Sequence, residues 1–462
     1  MLTQRFKPNA MSPPVASWLP LGVVTCDGMA RCGAGGTALS YDVELGGGPL
    51  PTARKYRDAR NQCGAVARAH AASAPASRQP ATQKIVVEIT DAARFARLRA
   101  EWSDLVERAA EPNVFMDPAL VQTAVEANAT SRIQVLLAWS GQERLVGVWA
   151  FRLGHPRKSP LPGPVLNAPQ YVHGLLATPV IDRACLDEVL HAMLDTVAAA
   201  PHLPKIIALD LMGMEGAVME ALTRVLAARD SAPRILESFR RPKLASPLDG
   251  KAYLEKTLSS SSRKKLRQHR RRLAEKGDLT RVICAEPQAV RGAFEEFLTL
   301  EAAGWKGKQG TALLCNESDK AFVRAAIATL AEQGCAWIDA LHLNGRPVSM
   351  QIIARCGPAA FTWKTAYDER FHDFSPGMLL LEDYTASLLA DTSVAFVDSC
   401  SHSDSGFMAA WSERQPVADL WIDARRGGSL AFRFLSGLQK GYRDLRAAAK
   451  NAYHALRRLR VC

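Results

Sequence analysis

Residues 362–380 have the sequence TWKTAYDERFHDFSPGMLL and carry one lysine amine and several carboxylates. Their alternating pattern predicts a strand that ends at Asp368. The alternation up to Asp368 puts Lys364 and Asp368 on one face of this strand and Trp363 and Tyr367 on the other. The polar face has two interpretations, the border of a functional site or the solvent side of a half-buried strand.

The same stretch ends in a Ser-Pro-Gly corner that predicts the start of a helix at about Gly377. Pro376 suits a first helical turn because its missing N–H would be unpaired there in any case, and Gly377 lets a ligand approach the backbone closely. Free backbone N–H groups and the positive end of the helix dipole then face out of the strand end, an arrangement that binds anions. A loop cap without a ligand is the alternative interpretation.

A second stretch with charged and aromatic side chains is EAAGWKGKQGTAL, which begins at Glu301. It places Trp305, Lys306 and Lys308 at the end of a predicted helix and in a loop interrupted by glycines. An aromatic ring with two lysines suits the mobile wall of a pocket for an anionic or sugar-bearing substrate. The alternative is a solvated helix end with glycine as the helix breaker.

A third stretch, residues 262–276, holds eight Lys and Arg against one Glu. It reads as a helix capped by Ser262 and stopped by Gly277, with a thin apolar stripe and cationic faces. Such a helix either binds phosphate or nucleic acid or is simply well solvated. The cations expected to contact a phosphorylated ligand are Arg263, Lys264 and Arg267.

Composition limits the class of protein. The chain has 462 residues and a net charge of +12, and its basicity is local, in residues 262–276 and again in residues 433–462. No apolar run approaches the roughly 20 residues that span a bilayer. The ten cysteines show no spacing typical of a metal site or a disulfide framework, so we expect no metal and a cytoplasmic protein.

The elements that must position these residues fall into two similar series. Each series predicts helices, a strand hairpin, a further strand, a helix and another strand, which indicates a repeated mixed α/β unit. The second hairpin turns at Asn344-Gly345, the favoured two-residue type I′ turn. The predicted segments are a disordered extension 1–83, a first domain 84–245, a second domain 246–430 and a basic C-terminal helix or tail 431–462.

Four motifs in this order resemble the acetyltransferases named for cellulose biosynthesis (the CelD/BcsL type) of the GNAT superfamily. They are SRKKLRQHRRRLAEKG, LEAAGWKGKQGTAL, KTAYDERFHDFSPGMLL and FVDSCSHSDSGFMAAWSER. The resemblance covers about residues 84–425 and extends to the Fem peptidyltransferases, which are tandem GNAT domains. It implies an α/β tandem GNAT fold in which acetyl-CoA or another acyl-CoA lies in a wedge between two central strands, with its pyrophosphate at Phe374, Ser375, Pro376 and Gly377.

The resemblance also implies direct acyl transfer to an amine or hydroxyl acceptor, with a carboxylate as base. The candidate bases are Asp398, Asp368 and Glu301. The candidate substrate contacts are Trp305, Lys306, Lys364, Tyr367, Arg263, Lys264 and Arg267. The expected acceptor is a small molecule or an envelope polysaccharide such as cellulose, with peripheral membrane contact through the basic C-terminus. The alternatives are a Fem-like enzyme that uses aminoacyl-tRNA and a non-catalytic scaffold or nucleic-acid-binding protein on the same fold.

Overall fold

The computed structural model describes residues 84–127, 132–141, 143–161 and 163–459. The extension predicted for residues 1–83 lies outside these described residues. The described part forms mixed α/β structure, and its elements fall into two consecutive series.

The first series alternates helices with strands and includes a short 3-10 turn at Val114–Met116. Its elements are β1 (Ile85–Thr90), α1 (Ala92–Ala96), α2 (Arg99–Arg108), α3 (Pro118–Glu126), β2 (Ile133–Ser140), β3 (Arg144–Gly154), β4 (Val165–Ala168), β5 (Val180–Ile181), α4 (Leu186–Ala199), β6 (Ile206–Gly213), α5 (Ala217–Ala227) and β7 (Arg234–Leu244).

The second series repeats this order and adds a long terminal helix. Its elements are α6 (Gly250–Thr257), α7 (Ser260–Ala274), β8 (Leu279–Cys284), α8 (Pro287–Ala303), α9 (Trp305–Lys308), α10 (Glu317–Glu332), β9 (Ala336–Leu343), β10 (Arg346–Cys356), β11 (Ala359–Tyr367), α11 (Pro376–Ala390), β12 (Phe396–Asp398), β13 (Glu413–Asp423) and α12 (Leu430–Leu459). Three 3-10 turns, Leu313–Cys315, Glu369–Phe374 and Phe407–Ala410, join them.

One mixed sheet runs through both series in the order β1-β2-β3-β4-β6-β13-β7-β12-β11-β10-β9-β8, and β5 pairs with β3. The pairs β4–β6 and β11–β12 are parallel, one in each series. The last strands are exchanged: β7 pairs with β12 and β13 of the second series, whereas β13 pairs with β6 and β7 of the first. The two series are therefore joined at the centre of the sheet.

Helices cover both faces of this sheet. The largest core cluster packs α1 to α5 together with α8 and α10 against apolar strand residues such as Phe151 and Phe361. A second cluster packs α6, α7 and α11 against the opposite face of the second series, with Tyr384 and Trp411 at its centre. Most residues of β10 and β11 are thus buried on both faces beside the β11–β12 junction.

Two sequence expectations about local structure have different outcomes. The hairpin turn at Asn344-Gly345 is confirmed, since both residues have positive φ, 51° and 72°, as a type I′ turn requires. The start predicted for α7 is wrong: Ser259 rather than Ser262 is the N-cap, and its hydroxyl accepts from the Ser262 N–H at 3.1 Å. A run of four serines offers several caps, and the earliest one adds a turn to the helix.

Candidate functional site

Strand β12 pairs along its whole length with only the first three residues of β11. Their parallel register covers three residue pairs, the last being Phe361 with Asp398. Beyond it β12 ends while β11 continues to Tyr367, and the Thr362 hydroxyl donates to the Asp398 carbonyl at 3.3 Å. We call the region beside Thr362–Tyr367, where β11 continues beyond its last residue pair with β12, the wedge.

A β-bulge lies in β11 beside this wedge. Ile352 of β10 faces Lys364 and Ile353 faces Thr362, so Trp363 is an extra residue in β11. The expectation that Trp363 and Lys364 lie on opposite faces is wrong. Both contact His173: the Trp363 indole donates to the His173 carbonyl at 2.9 Å, and Lys364 Nζ lies 3.2 Å from His173 Nδ1. A bulge shifts the alternation by one residue and so re-aims a side chain.

His173 belongs to a loop of the first series, residues 169–179, that covers the wedge. Asn113 donates to two carbonyls of this loop at 3.1 and 2.7 Å, and Arg241 of β7 donates to a third at 2.8 Å. The His173 ring stacks on Phe322 with 5.9 Å between ring centres. The first series therefore contributes a fixed imidazole to a site on the second.

Lys364, His173 and Asp319 form a chain of ionisable groups. His173 Nε2 lies 3.3 Å from an Asp319 carboxylate oxygen, on the side of the ring opposite Lys364. Burial, and then the charge of Lys364, lower the pKa of His173 to about 4. Burial, and then the charge of Lys306, lower the pKa of Lys364 to about 8. At pH 7 the imidazole is neutral, and about one tenth of Lys364 is a free amine, a fraction that reaches one half near pH 8.

The neutral state of His173 predicts acid sensitivity. Unfolded histidine takes up a proton near pH 6.5, but folded His173 does so near pH 4, so the unfolded state binds more protons in between and stability falls as the pH is lowered. We expect the free energy of unfolding to fall by about 2 to 3 kcal/mol more between pH 7 and pH 4.5 in the wild type than in His173→Gln. Urea denaturation at both pH values measures this difference. The exposed His202→Gln variant is the control, and equal losses in all three proteins would contradict the prediction.

Glu301 and Lys306 lie close to Lys364. Lys306 Nζ is 2.6 Å from a Glu301 oxygen and 3.4 Å from the Thr365 carbonyl, while the other Glu301 oxygen accepts from the Leu313 N–H at 2.9 Å. Glu301 is buried, and both of its oxygens have partners. The structure therefore brings the predicted residues Glu301, Lys306 and Lys364 together at the open end of β11.

Trp305 lies in the short helix α9 beside this group. Its backbone N–H donates to Glu369 at 2.6 Å, and Lys308 pairs with the other oxygen of the same carboxylate at 2.6 Å. Glu369 thus connects α9 to the 3-10 turn that follows β11. The loop predicted to be a mobile wall is fixed at this point, and the Trp305 side chain is half-buried.

The other two predicted carboxylates are engaged in ion pairs. Asp398 and Arg241 are both almost fully buried and form an ion pair, and Asp398 also accepts from the Cys400 N–H at 2.8 Å. Asp368 accepts from the Arg370 side chain at 2.6 Å, and these hydrogen bonds lower its pKa. Tyr367 ends the strand with its side chain exposed.

The corner formed by Phe374, Ser375, Pro376 and Gly377 follows the 3-10 turn. Ser375 has a left-handed backbone with φ of 50°, and no side chain caps the helix that begins at Pro376. A Cβ added at Gly377 would meet nothing within 4 Å. The prediction of a helix start with Pro376 in the first turn is confirmed, and the backbone there is open to an incoming group.

Helix α7 packs beside this corner through a face that differs from the predicted one. The His269 ring hydrogen-bonds the backbone of Phe374, and Lys276 Nζ lies 5.4 Å from the Phe374 ring centre. Helical spacing puts Lys265 and Arg272 on the same side as these two residues. Arg263, Lys264 and Arg267 project from the other side, where Arg263 pairs with Glu255 at 3.2 Å.

Sequence reasoning missed His173 and Asp319. His173 is in a loop of the first series, and Asp319 is in the first turn of α10, so no local pattern connects them to Lys364. The bulge at Trp363 also had no sequence signal, because no glycine marks it. Among the described residues, no group of three or more His, Cys, Asp or Glu side chains could hold a metal ion.

The comparisons with known proteins agree with this topology. Residues 260–400 match the family model described as an acetyltransferase (GNAT) domain, a span that runs from α7 to just beyond β12. A comparison with curated proteins gives no match. The predicted mixed α/β fold class is confirmed by the sheet, and residues 260–400 of it match the GNAT domain model.

Several solved structures are similar to this chain at low identity. FemX is 12% identical, with 71% of this chain and 96% of that chain covered and a TM-score of 0.49. The C-terminal domain of a putative lysylphosphatidylglycerol synthetase from Agrobacterium fabrum is 15% identical, with 72% and 92% covered and a TM-score of 0.44. A tandem GNAT protein from the clavulanic acid biosynthesis pathway is 14% identical, with 75% and 99% covered and a TM-score of 0.38.

Proposed function

We propose that this protein is an acyltransferase that moves an acyl group from an acyl-CoA thioester to an amine or hydroxyl acceptor. The observation that carries the proposal is the wedge between β11 and β12 with Lys364 at its mouth. The wedge lies within residues 260–400, the span that matches the acetyltransferase domain model. Buried Cys400 takes part in no disulfide, which fits a reducing cytoplasm.

The donor would occupy the wedge and the adjoining corner. The extended pantetheine arm would lie along Thr362–Ala366, the part of β11 that follows its last residue pair with β12. The pyrophosphate would meet the backbone N–H of Gly377 and the positive end of the helix dipole, where the helix start carries no side-chain cap. The cationic side of α7, with Lys265, Arg272 and Lys276, would add attraction for phosphate. The residues present therefore fit the donor.

The first series contains no comparable opening where β4 and β6 separate. Loop residues occupy that place: the Ala177 N–H donates to the Leu211 carbonyl at 3.4 Å, and the Thr178 hydroxyl accepts from the Gly213 N–H at 3.3 Å. This supports the hypothesis that the donor binds only to the second series. The loop with His173 would then shape the acceptor side of the cleft.

Lys364 is the proposed base. As a free amine it donates one N–H to His173 Nδ1, and its lone pair is left to accept the proton of the attacking amine or hydroxyl. In this proposal His173 carries its own proton on Nε2, 3.3 Å from an Asp319 oxygen, so that Nδ1 is left to accept from Lys364. The donor supplies an activated thioester carbonyl. Asp398, Asp368 and Glu301 keep structural roles in this proposal, because each carboxylate already has cationic and N–H partners.

The finer identity of the reaction rests on fewer observations. The resemblance to the cellulose-type acetyltransferases supports an acceptor in envelope or exopolysaccharide synthesis. A Fem-like transferase is the second candidate, and one observation favours it: the cationic side of α7 beside the Gly377 corner would also suit the phosphates of aminoacyl-tRNA. Thermal shifts with acetyl-CoA and with aminoacyl-tRNA distinguish the two donors, and a shift with neither would favour a scaffold.

Changing Gly377 to aspartate tests the donor site. The new carboxylate would lie where the pyrophosphate approaches, so we expect acetyl-CoA affinity to fall at least about tenfold by like-charge repulsion. Stability should change little, because a carboxylate near a helix N-terminus is favourable by about 0.3 to 1 kcal/mol. Calorimetry measures binding, and circular dichroism measures unfolding.

Gly292→Asp is the matched control for this test. Gly292 is an exposed glycine of α8, and a Cβ added there also meets nothing within 4 Å. This variant should bind acetyl-CoA with native affinity. If Gly377→Asp were well folded and still bound acetyl-CoA with native affinity, the donor would not bind at this corner. The proposed function would then lack a phosphate site.

A further inference from the structure

The C-terminal helix α12 has two different faces over its 30 residues, Leu430–Leu459. Its inner face packs on the sheet and the adjoining loop, where Phe432, Ser436 and Gln439 are buried and the Gln439 amide donates to the Lys158 carbonyl at 3.1 Å. On the same face buried Arg443 pairs with Asp419. The helix is therefore firmly attached to the body of the protein through this face.

The outer face of α12 is apolar and exposed. Six large side chains recur on it at helical spacing, with the exposed fraction reaching 82% at Leu430 and 73% at Leu445. The six are Leu430, Phe434, Leu438, Tyr442, Leu445 and Tyr453. We call them the outer stripe. A continuous exposed apolar strip of this kind marks a contact with another surface, since single exposed apolar residues are usually scattered.

Cations border the outer stripe. Arg433 and Lys440 lie along one side of it, and Arg446 and Lys450 lie along the other, as their helical positions require. Between Leu430 and Leu459 the sequence has one acidic residue, Asp444, and it pairs with Lys440 at 2.5 Å. The surface that covers the stripe must therefore offer apolar groups and negative charge together.

We propose that α12 lies in the plane of a bilayer containing anionic lipid, with the outer stripe at the boundary of the acyl chains and the flanking cations at the headgroup phosphates. A large apolar face with a strongly cationic polar face is typical of interfacial helices. Within the described residues, no helix is long and apolar enough to cross a membrane, which agrees with attachment in the plane. A second copy of this chain fits poorly, because pairing two stripes would bring two rows of cations together.

Sedimentation with lipid vesicles tests the proposal, which is independent of the acyltransferase reaction. The full chain is mixed with vesicles of phosphatidylcholine alone or with phosphatidylglycerol added. We expect the partition coefficient to be at least about tenfold higher on the anionic vesicles and to fall with added salt.

Two glutamate variants separate apolar insertion from charge. Leu445→Glu places a carboxylate in the outer stripe, and Ala447→Glu places the same charge on an exposed position of the polar side, two residues away. Because the charge change is identical, the ratio of their partition coefficients reports insertion. We expect Leu445→Glu to bind at least about tenfold more weakly than Ala447→Glu, since a leucine at the interface loses its apolar burial.

Three results would overturn the proposal. Equal binding by the two variants would mean that charge alone attracts the vesicles. Equal binding to neutral and anionic vesicles would remove the role of the cations. A dimer seen by light scattering without lipid, and dissociated by Leu445→Glu, would make a second copy the occupant of the stripe.

Discussion

Replacing Lys364 with methionine is expected to lower kcat of acyl transfer by about 10²- to 10⁴-fold, the usual contribution of a positioned general base. Methionine keeps the length of the side chain but has no lone pair of suitable basicity to accept the proton of the acceptor. The assay is thiol release from acetyl-CoA with an amine or hydroxyl acceptor that supports turnover of the wild type. Lys308→Met, at an exposed lysine of α9, removes the same charge and should keep most of the activity.

The pH profile separates a base from a binding residue. Lys364 is active as the neutral amine, and its pKa is about 8, so the wild-type rate should rise with pH and level off above that value. The Lys364→Met variant should lose this rise together with the rate. If the Lys364→Met variant had a normal kcat and a raised KM, Lys364 would be a substrate contact and not the base. The same would follow if its rate still rose with pH near pH 8.

Replacing Arg241 with methionine is expected to lower the free energy of unfolding by about 3 to 5 kcal/mol, because it leaves the buried Asp398 carboxylate without its cation. Arg241 and Asp398 are 0% and 1% exposed, so little water reaches the orphaned charge. The change also removes the hydrogen bond from Arg241 to the loop that carries His173. Denaturant unfolding followed by circular dichroism measures the loss.

Two companion variants make this prediction specific. Arg370→Met removes the exposed guanidinium that pairs with Asp368. This change should lower the free energy of unfolding by at most about 1 kcal/mol. The double variant Arg241→Met with Asp398→Leu should recover much of the loss, since no buried charge remains. If Arg241→Met were no more destabilising than Arg370→Met, the ion pair would not secure the junction of β7 and β12.

The parts of this protein that local patterns encode were predictable. The hairpin at Asn344-Gly345 follows from turn chemistry, and the helix start at Pro376 follows from the fixed φ of proline. Lys364 was also named from sequence as an amine on a strand that borders a site, and Glu301 and Lys306 were named as charged residues at the end of a helix and in its loop. Their predicted roles, however, depended on partners that the sequence could not show.

The sequence could not show contacts between residues that lie far apart along the chain. Asp398 looked like an available base at a strand end, but Arg241, 157 residues earlier, neutralises it. His173 meets Lys364 across 191 residues, and the bulge at Trp363 reverses the face on which Lys364 was expected. The sequence of α7 shows which residues are cationic. It does not show which of them face the Gly377 corner, because the orientation of the helix depends on its packing against α11.

The exchange of last strands has a consequence for the order of synthesis. Strand β7 leaves the ribosome before either of its neighbours, since β12 and β13 both come from the second series. Until about 150 further residues have been made, the eleven-residue strand Arg234–Leu244 has both edges unpaired, and unpaired edges are the usual route to association between nascent chains. The unpaired strand has a high density of charge, which discourages such association. The charged residues are Arg234, Glu237, Arg240, Arg241 and Lys243. Arg241, which later pairs with Asp398 at the centre of the sheet, is therefore one of the charges that protect the strand while its partners are still being made.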